Sequence, residues 1–147
     1  MARDAKMMLV FISCTKLKRS VPCKALEMYS PSTLFKLSLK YARKLTRDDN
    51  IYVLSAKYGL IKIDTVIKPY DETLNKMTKS DRLRWSERVF KQFLNRGLDE
   101  TTSQIIFLTG KRYHEFLIHK FEKIGIKCFL PLEGMGIGMR LKWLSSK

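Results

Sequence analysis

Four short apolar runs limit what this chain can fold into. They are Met7–Ser13, Ile51–Ser55, Gln104–Thr109 and Ile126–Leu130, well separated by segments of helical periodicity. All but the last are nearly continuous in apolar or β-branched residues instead of alternating, the pattern of strands covered on both faces. Strands that alternate with helices are joined by right-handed crossovers. The expected fold class is α/β: a single three-layer domain over residues 1–147, with a mostly parallel four-stranded sheet and helices on both faces. With 147 residues, 45% of them hydrophobic, the chain can bury roughly two thirds of its unfolded surface.

The helical segments carry their own signals. Ser32 is placed to cap a helix with Leu34, Leu37, Tyr41 and Leu45 on one face and Lys36, Lys40, Arg43, Lys44 and Arg47 around the other. A second helix is expected over Lys79–Asn95, capped by Thr78 or Ser80 and stopped by Gly97, with Leu83, Ser86, Phe90, Phe93 and Leu94 turned inward. A third should span Arg112 to Lys123 and end at Gly125, and the last should open near Gly136.

Charge sets the partner class. Lys and Arg number 29 against 14 Asp and Glu, a net of +15. That balance argues against basic partners and favours a polyanion. The charge is dispersed without a basic tail, so a folded surface rather than a disordered arm carries it; plain solubility is the alternative. No run reaches the roughly 18 apolar residues of a membrane span, and no secretory signal is recognisable, so no membrane partner is expected. Three cysteines, Cys14, Cys23 and Cys128, fit no zinc spacing, and a reducing cytoplasm is the default compartment. His114 and His119 are five residues apart, which does not suit a shared helical face. No cofactor and no structural metal are expected, with carboxylate-held Mg²⁺ left open.

In parallel sheets ligands bind beyond the carboxyl ends of the strands. The residues there are Ser13-Cys14-Thr15-Lys16, Ser55-Ala56-Lys57-Tyr58-Gly59, Thr109-Gly110-Lys111-Arg112-Tyr113 and Pro131-Leu132-Glu133-Gly134. Hydroxyls, lysines and glycines crowd these positions. Lys16 and Lys57 are candidates to hold phosphate, the alternative being exposed loops with incidental lysines. Cys14 could be a thiol nucleophile paired with His114 through folding, or a buried inert cysteine. Asp71 is a candidate general base or water-orienting group, or else a turn aspartate; Tyr58 and Tyr70 could stack on a base. The candidate catalytic set is Asp71, Lys57 and Ser13. The candidate binding set is Cys14, Lys16, Ser32, Ser55, Tyr58, Gly59, Tyr70, Gly134, Gly136 and Arg140. The glycine-rich turn from Gly134 to Gly138 leaves backbone amides open to an anion, with tight helix packing as the alternative. Arg82, Arg84, Trp85, Arg88 and Lys91 could follow a nucleic-acid backbone or form a solvated helix face.

In combination, S-C-T-K, Y-S-P-S-T-L-F, S-A-K-Y-G-L, K-P-Y-D-E-T-L, L-T-G-x-x-Y and L-x-G-M-G-I-G-M-R-L-x-W-L resemble a domain-of-unknown-function family of small bacterial, archaeal and phage proteins. The likeness covers nearly the whole chain. A more distant likeness is to the DNA-binding YaaA peroxide-stress family, through Y-G-L followed by P-Y. The resemblance implies an α/β fold and a nucleic-acid or nucleobase connection, and it adds Tyr29, Leu60, Pro69, Gly110, Tyr113 and Gly138 to the matching positions. The leading expectation is binding of nucleic acid, DNA favoured, or of a nucleotide at the carboxyl edge, with base or N-glycosidic chemistry as an elaboration. A small-molecule enzyme acting on a phosphorylated or nucleoside metabolite, or a non-enzymatic phage or defence module, are the competing readings.

Overall fold

In the computed structural model, which describes residues 6–147, the apolar runs become strands of one sheet. Strands β1 (Met7–Ser13), β3 (Ile51–Ser55), β6 (Thr102–Leu108) and β7 (Lys127–Phe129) are mutually parallel, and β4 (Gly59–Lys62) lies antiparallel on β3. Their order is β4-β3-β1-β6-β7. The sheet thus has five strands instead of four. The addition is short and follows β3 through a three-residue turn, so it reads in sequence as loop. A two-stranded antiparallel pair, β2 (Cys23–Lys24) with β5 (Val66–Ile67), is separate from the main sheet.

The order dictates where the helices go. The crossover from β1 to β3 and those from β3 to β6 to β7 run in opposite directions, so right-handedness puts their helices on opposite faces. Helix α2 (Thr33–Leu45) covers one face with the terminal α7 (Ile137–Ser145), Tyr41 meeting Trp143 edge-on with centroids 5.3 Å apart. Helix α3 (Lys79–Asn95) covers the other face with α6 (Ile118–Lys123), where Phe93 and Phe121 rings lie 4.7 Å apart. Phe11 on β1 packs edge-to-face on Phe107 of β6, at 5.3 Å, and continues this aromatic layer.

Two helix faces are rotated from the expected ones. Helix α2 buries Phe35, Ser38, Leu39 and Ala42, while Leu34, Leu37, Tyr41 and Leu45 are half-buried. Small Ser38 and Ala42 allow close approach to the sheet, and α7 occupies the flank. Helix α3 buries Arg82, Trp85, Ser86, Val89 and Phe93 and leaves Leu83 and Leu94 exposed. The expected third helix is interrupted: α5 (Lys111–His114) and α6 are separated by a turn at Glu115–Leu117. The short helices α1 (Ala25–Met28) and α4 (Leu98–Thr101) complete the fold.

The β4 edge is closed by side chains. Gln92 Oε1 accepts the Leu60 N–H at 2.8 Å, and Arg96 Nη2 donates to the Leu60 carbonyl at 2.8 Å. These bonds occupy outward backbone groups that would otherwise invite another strand. Gly59 permits the fit: its φ is +76°, and a Cβ there would stand 2.2 Å from Gln92 Oε1.

Candidate functional site

The carboxyl ends of β3, β1, β6 and β7 lie side by side in the sheet order, so residues distant in sequence share one edge. At the end of β3, Ser55 is fully buried and acts as a hub. Its Oγ accepts the N–H groups of Lys57 at 3.2 Å and Tyr58 at 2.9 Å, which fills its acceptor capacity. Its own hydrogen is therefore donated to the Tyr70 hydroxyl at 2.8 Å. The Tyr70 and Tyr29 hydroxyls share a further hydrogen bond of 2.6 Å, in which either oxygen can donate, and this extends the chain to three hydroxyls. Trp85 Nε1 donates to the Ser55 carbonyl at 2.9 Å and docks α3 against the same strand end.

Cys14 stands at the neighbouring end of β1, its N–H donating to the Leu54 carbonyl at 2.9 Å. Its sulfur, in a residue 6% exposed, accepts the Ala56 N–H at 3.4 Å and lies 3.3 Å from the Tyr113 hydroxyl. Tyr113 rests edge-on against Trp85, centroids 5.7 Å apart, and so links the β1, β3 and β6 ends. Burial, followed by proximity to Cys14, holds the hydroxyls of Tyr29, Tyr70 and Tyr113 well above the usual phenol range. They remain protonated at neutral pH. The floor of the edge is thus a layer of neutral hydroxyls.

Of the two readings of Cys14, the pair with His114 does not form, and the cysteine is buried at its strand end. His114 Nδ1 is hydrogen-bonded to Thr109 Oγ1 at 2.9 Å, and the group beside Cys14 is the adjacent Tyr113. Burial holds His114 below the ordinary imidazole value, with Glu133 and Glu115 opposing. Arg82 leaves the expected solvated face altogether. At 8% exposure it donates to the Met77 carbonyl at 2.8 Å, and its Nε lies 3.3 Å from Glu115 Oε2.

Above the hydroxyl layer is a cationic rim. Lys18 Nζ lies 4.6 Å from the Tyr70 ring centroid, and Lys57 Nζ lies 5.5 Å from that of Tyr58. Tyr58 and Tyr70 rings meet edge-on at 5.7 Å. Lys16 and Lys57 are exposed. Arg88 Nη2 donates to the Lys57 carbonyl at 2.7 Å. Beside it opens a cleft of about 320 Å³ lined by Ala56, Met77, Asp81, Arg84, Trp85 and Arg88. Arg84 is paired within it to Asp81 at 2.6 Å, which lowers the Asp81 carboxyl below its ordinary range.

The candidate residues divide in two. Cys14, Ser55, Lys57, Tyr58 and Tyr70 converge at the β1 and β3 ends, with half-buried Ser13 closing β1. Gly59 shapes their turn. Gly134, Gly136 and Arg140 belong to the β7 end, three strand spacings or about 14 Å along the edge from β3. Arg140 Nε donates to the Met135 carbonyl at 3.0 Å, and its Nη1 lies 3.4 Å from where a Gly110 Cβ would stand. The tight-packing alternative for the glycine turn does not hold, since Cβ atoms at Gly134, Gly136 and Gly138 would meet open space. Ser32 has a local duty: its Oγ accepts the Phe35 N–H at 3.2 Å as the cap of α2. Asp71 is exposed one residue after Tyr70, and no hydrogen bond or ion pair among the described residues orients its carboxylate.

Several members were not singled out as site residues from sequence. The Tyr29–Tyr70, Thr109–His114 and Arg82–Glu115 pairings carry no local signal, because each depends on a partner brought in by the fold. Trp85 had one, an aromatic among arginines, but its wall role needs the β3 end beside it. Among the described residues, no group of three His, Cys, Asp or Glu is placed to hold a metal. No helix among them is long and apolar enough to cross a membrane.

Residues 9–146 match the family described as "Family of unknown function (DUF6884)". No curated protein and no solved structure matches the chain.

Proposed function

The chain belongs to the family of unknown function DUF6884, and from the chemistry of its sheet edge we propose that it binds a nucleic acid or nucleotide there through phosphate. The carrying observation is the union of Lys57 and Arg88, tied by the 2.7 Å bond at a cleft walled by Trp85. Exposed Lys16 and Lys57 and the Arg88 guanidinium supply charge without a desolvation cost. The neutral hydroxyl layer below adds no negative charge to repel the ligand. Tyr58, half-buried and edge-on to Tyr70, is the aromatic best placed to meet a base. The likeness of the Y-G-L and P-Y segments to DNA-binding YaaA proteins makes DNA the first polymer to test.

Fluorescence anisotropy with labelled single- and double-stranded DNA, RNA and a mononucleotide tests this reading. Three phosphate contacts by Lys16, Lys57 and Arg88 correspond to a log–log salt slope of about −2 on a single strand. Affinity should then fall about twentyfold between 50 and 200 mM salt. Lys57→Glu should weaken binding at least fivefold. Absence of binding at low salt to any of the four probes overturns the proposal. Mononucleotide binding with no gain for polymers replaces nucleic acid with a small phosphorylated metabolite.

A further inference from the structure

The outer face of α2 carries charge that the sheet edge does not use. Lys36, Lys40, Arg43 and Lys44 line a groove of about 420 Å³ with Leu39 as its one apolar member. At 100° per residue these four cations fall within about 100° of helix circumference, and Arg47 follows just beyond the helix end. Acidic compensation is confined to the C-terminal end. There Asp48 takes Arg43 Nε and Nη2 at 3.0 and 3.1 Å, and Asp49 lies 3.8 Å from Arg47. Among the described residues, Lys36 and Lys40 have no acidic partner within ion-pair distance, and both are exposed.

The helix also has a direction. Its N-terminal end lies at the carboxyl edge, where Ser32 N–H donates to the Tyr29 carbonyl at 2.9 Å. Its other end lies at the amino edge, where Thr46 Oγ1 donates to the Met8 carbonyl at 3.3 Å. The cations therefore descend from the hydroxyl cluster down the side of the domain. From Lys36 to Lys44 the helix rises about 12 Å, a distance that spans successive phosphates of one strand.

We propose that this face of α2 is a second, sequence-independent contact surface for a phosphodiester backbone, distinct from the sheet-edge cleft. It stands whether or not the cleft holds a nucleotide. The long cationic side chains suit a repeating anion, and the face offers no exposed apolar residue to enter a lipid surface, which disfavours an anionic membrane.

The test compares Lys36→Glu/Lys40→Glu with Lys123→Glu/Lys127→Glu, the same change of charge at exposed positions on α6 and β7. A neutral pair, Lys36→Gln/Lys40→Gln, guards against damage to α2, and circular dichroism checks each fold. Probes are 20-nucleotide single-stranded DNA and RNA, AMP, and vesicles containing phosphatidylserine. The α2 pair should lose at least tenfold in oligonucleotide affinity, with the salt slope shallower by about 1.4. The neutral pair should lose less, and the control pair at most threefold. AMP affinity, whatever its value, should be the same in wild type and the α2 pair. Equal losses from the α2 and control pairs overturn the proposal, as does an unchanged slope, or loss of vesicle binding with oligonucleotide binding intact. Failure of AMP to bind counts against the sheet-edge reading and leaves this one measurable.

Discussion

Replacing Tyr70 with Phe removes the middle oxygen from a buried chain of three hydroxyls. Ser55 Oγ already accepts two N–H groups, so its hydrogen has no destination except Tyr70, at 2.8 Å. Tyr29, also fully buried, loses its 2.6 Å partner at the same time. The substitution therefore deletes two hydrogen bonds and strands two polar groups where water does not reach. Each such orphan costs about 1–3 kcal/mol, giving about 2–4 kcal/mol after partial relaxation. For a domain of this size that lowers Tm by roughly 6–14 °C. Urea unfolding of wild type, Tyr70→Phe, Tyr29→Phe and the double variant separates the contributions. Because both single changes break the same bond, the double should cost at least 0.5 kcal/mol less than their sum. A Tyr70→Phe loss under 0.5 kcal/mol, or strict additivity, would refute the energetic role of this hydroxyl chain.

Three further outcomes follow from the packing. Gly59→Ala forces a β-carbon into Gln92 at positive φ; it should cost about 2–4 kcal/mol in urea unfolding through strain and the lost Gln92 bonds. Glu115→Ala leaves the nearly buried Arg82 without its counter-charge and should destabilise by about 3 kcal/mol, more than Asp48→Ala at the exposed Arg43 pair, where under 1 kcal/mol is expected. Burial disfavours protonated His114 in the folded state, so the unfolded chain binds the proton first as pH falls past about 6.5. Stability should then be full above that pH and decline below it, and His114→Gln should flatten the decline in thermal melts from pH 7.5 to 5.

The strands of the parallel sheet were legible because double-sided burial demands continuous apolar runs, and those runs appear at β1, β3 and β6. Strand β4 was hidden because Gly-Leu-Ile-Lys is too short to show a period, and its edge is secured by Gln92 and Arg96 far along the chain. The caps Ser32 and Thr78 could be read because capping is local. Burial of Arg82 in place of Leu83 could not, since it depends on the Met77 carbonyl and Glu115. The same division runs through the site. Crossover topology brought Cys14, Ser55 and the residues after β6 to one edge, as expected from sequence. The hydroxyl relay and the replacement of His114 by Tyr113 beside Cys14 depend on side-chain meetings that no spacing encodes.

Backbone amide chemical-shift mapping during titration with single-stranded DNA tests the sheet-edge claim most directly. The largest shifts should fall on Cys14 to Lys18, Ala56 to Tyr58 and Arg84 to Arg88, and they should vanish in Lys57→Glu. Shifts confined to the amino edge of the sheet, or identical shifts in wild type and Lys57→Glu, would contradict it.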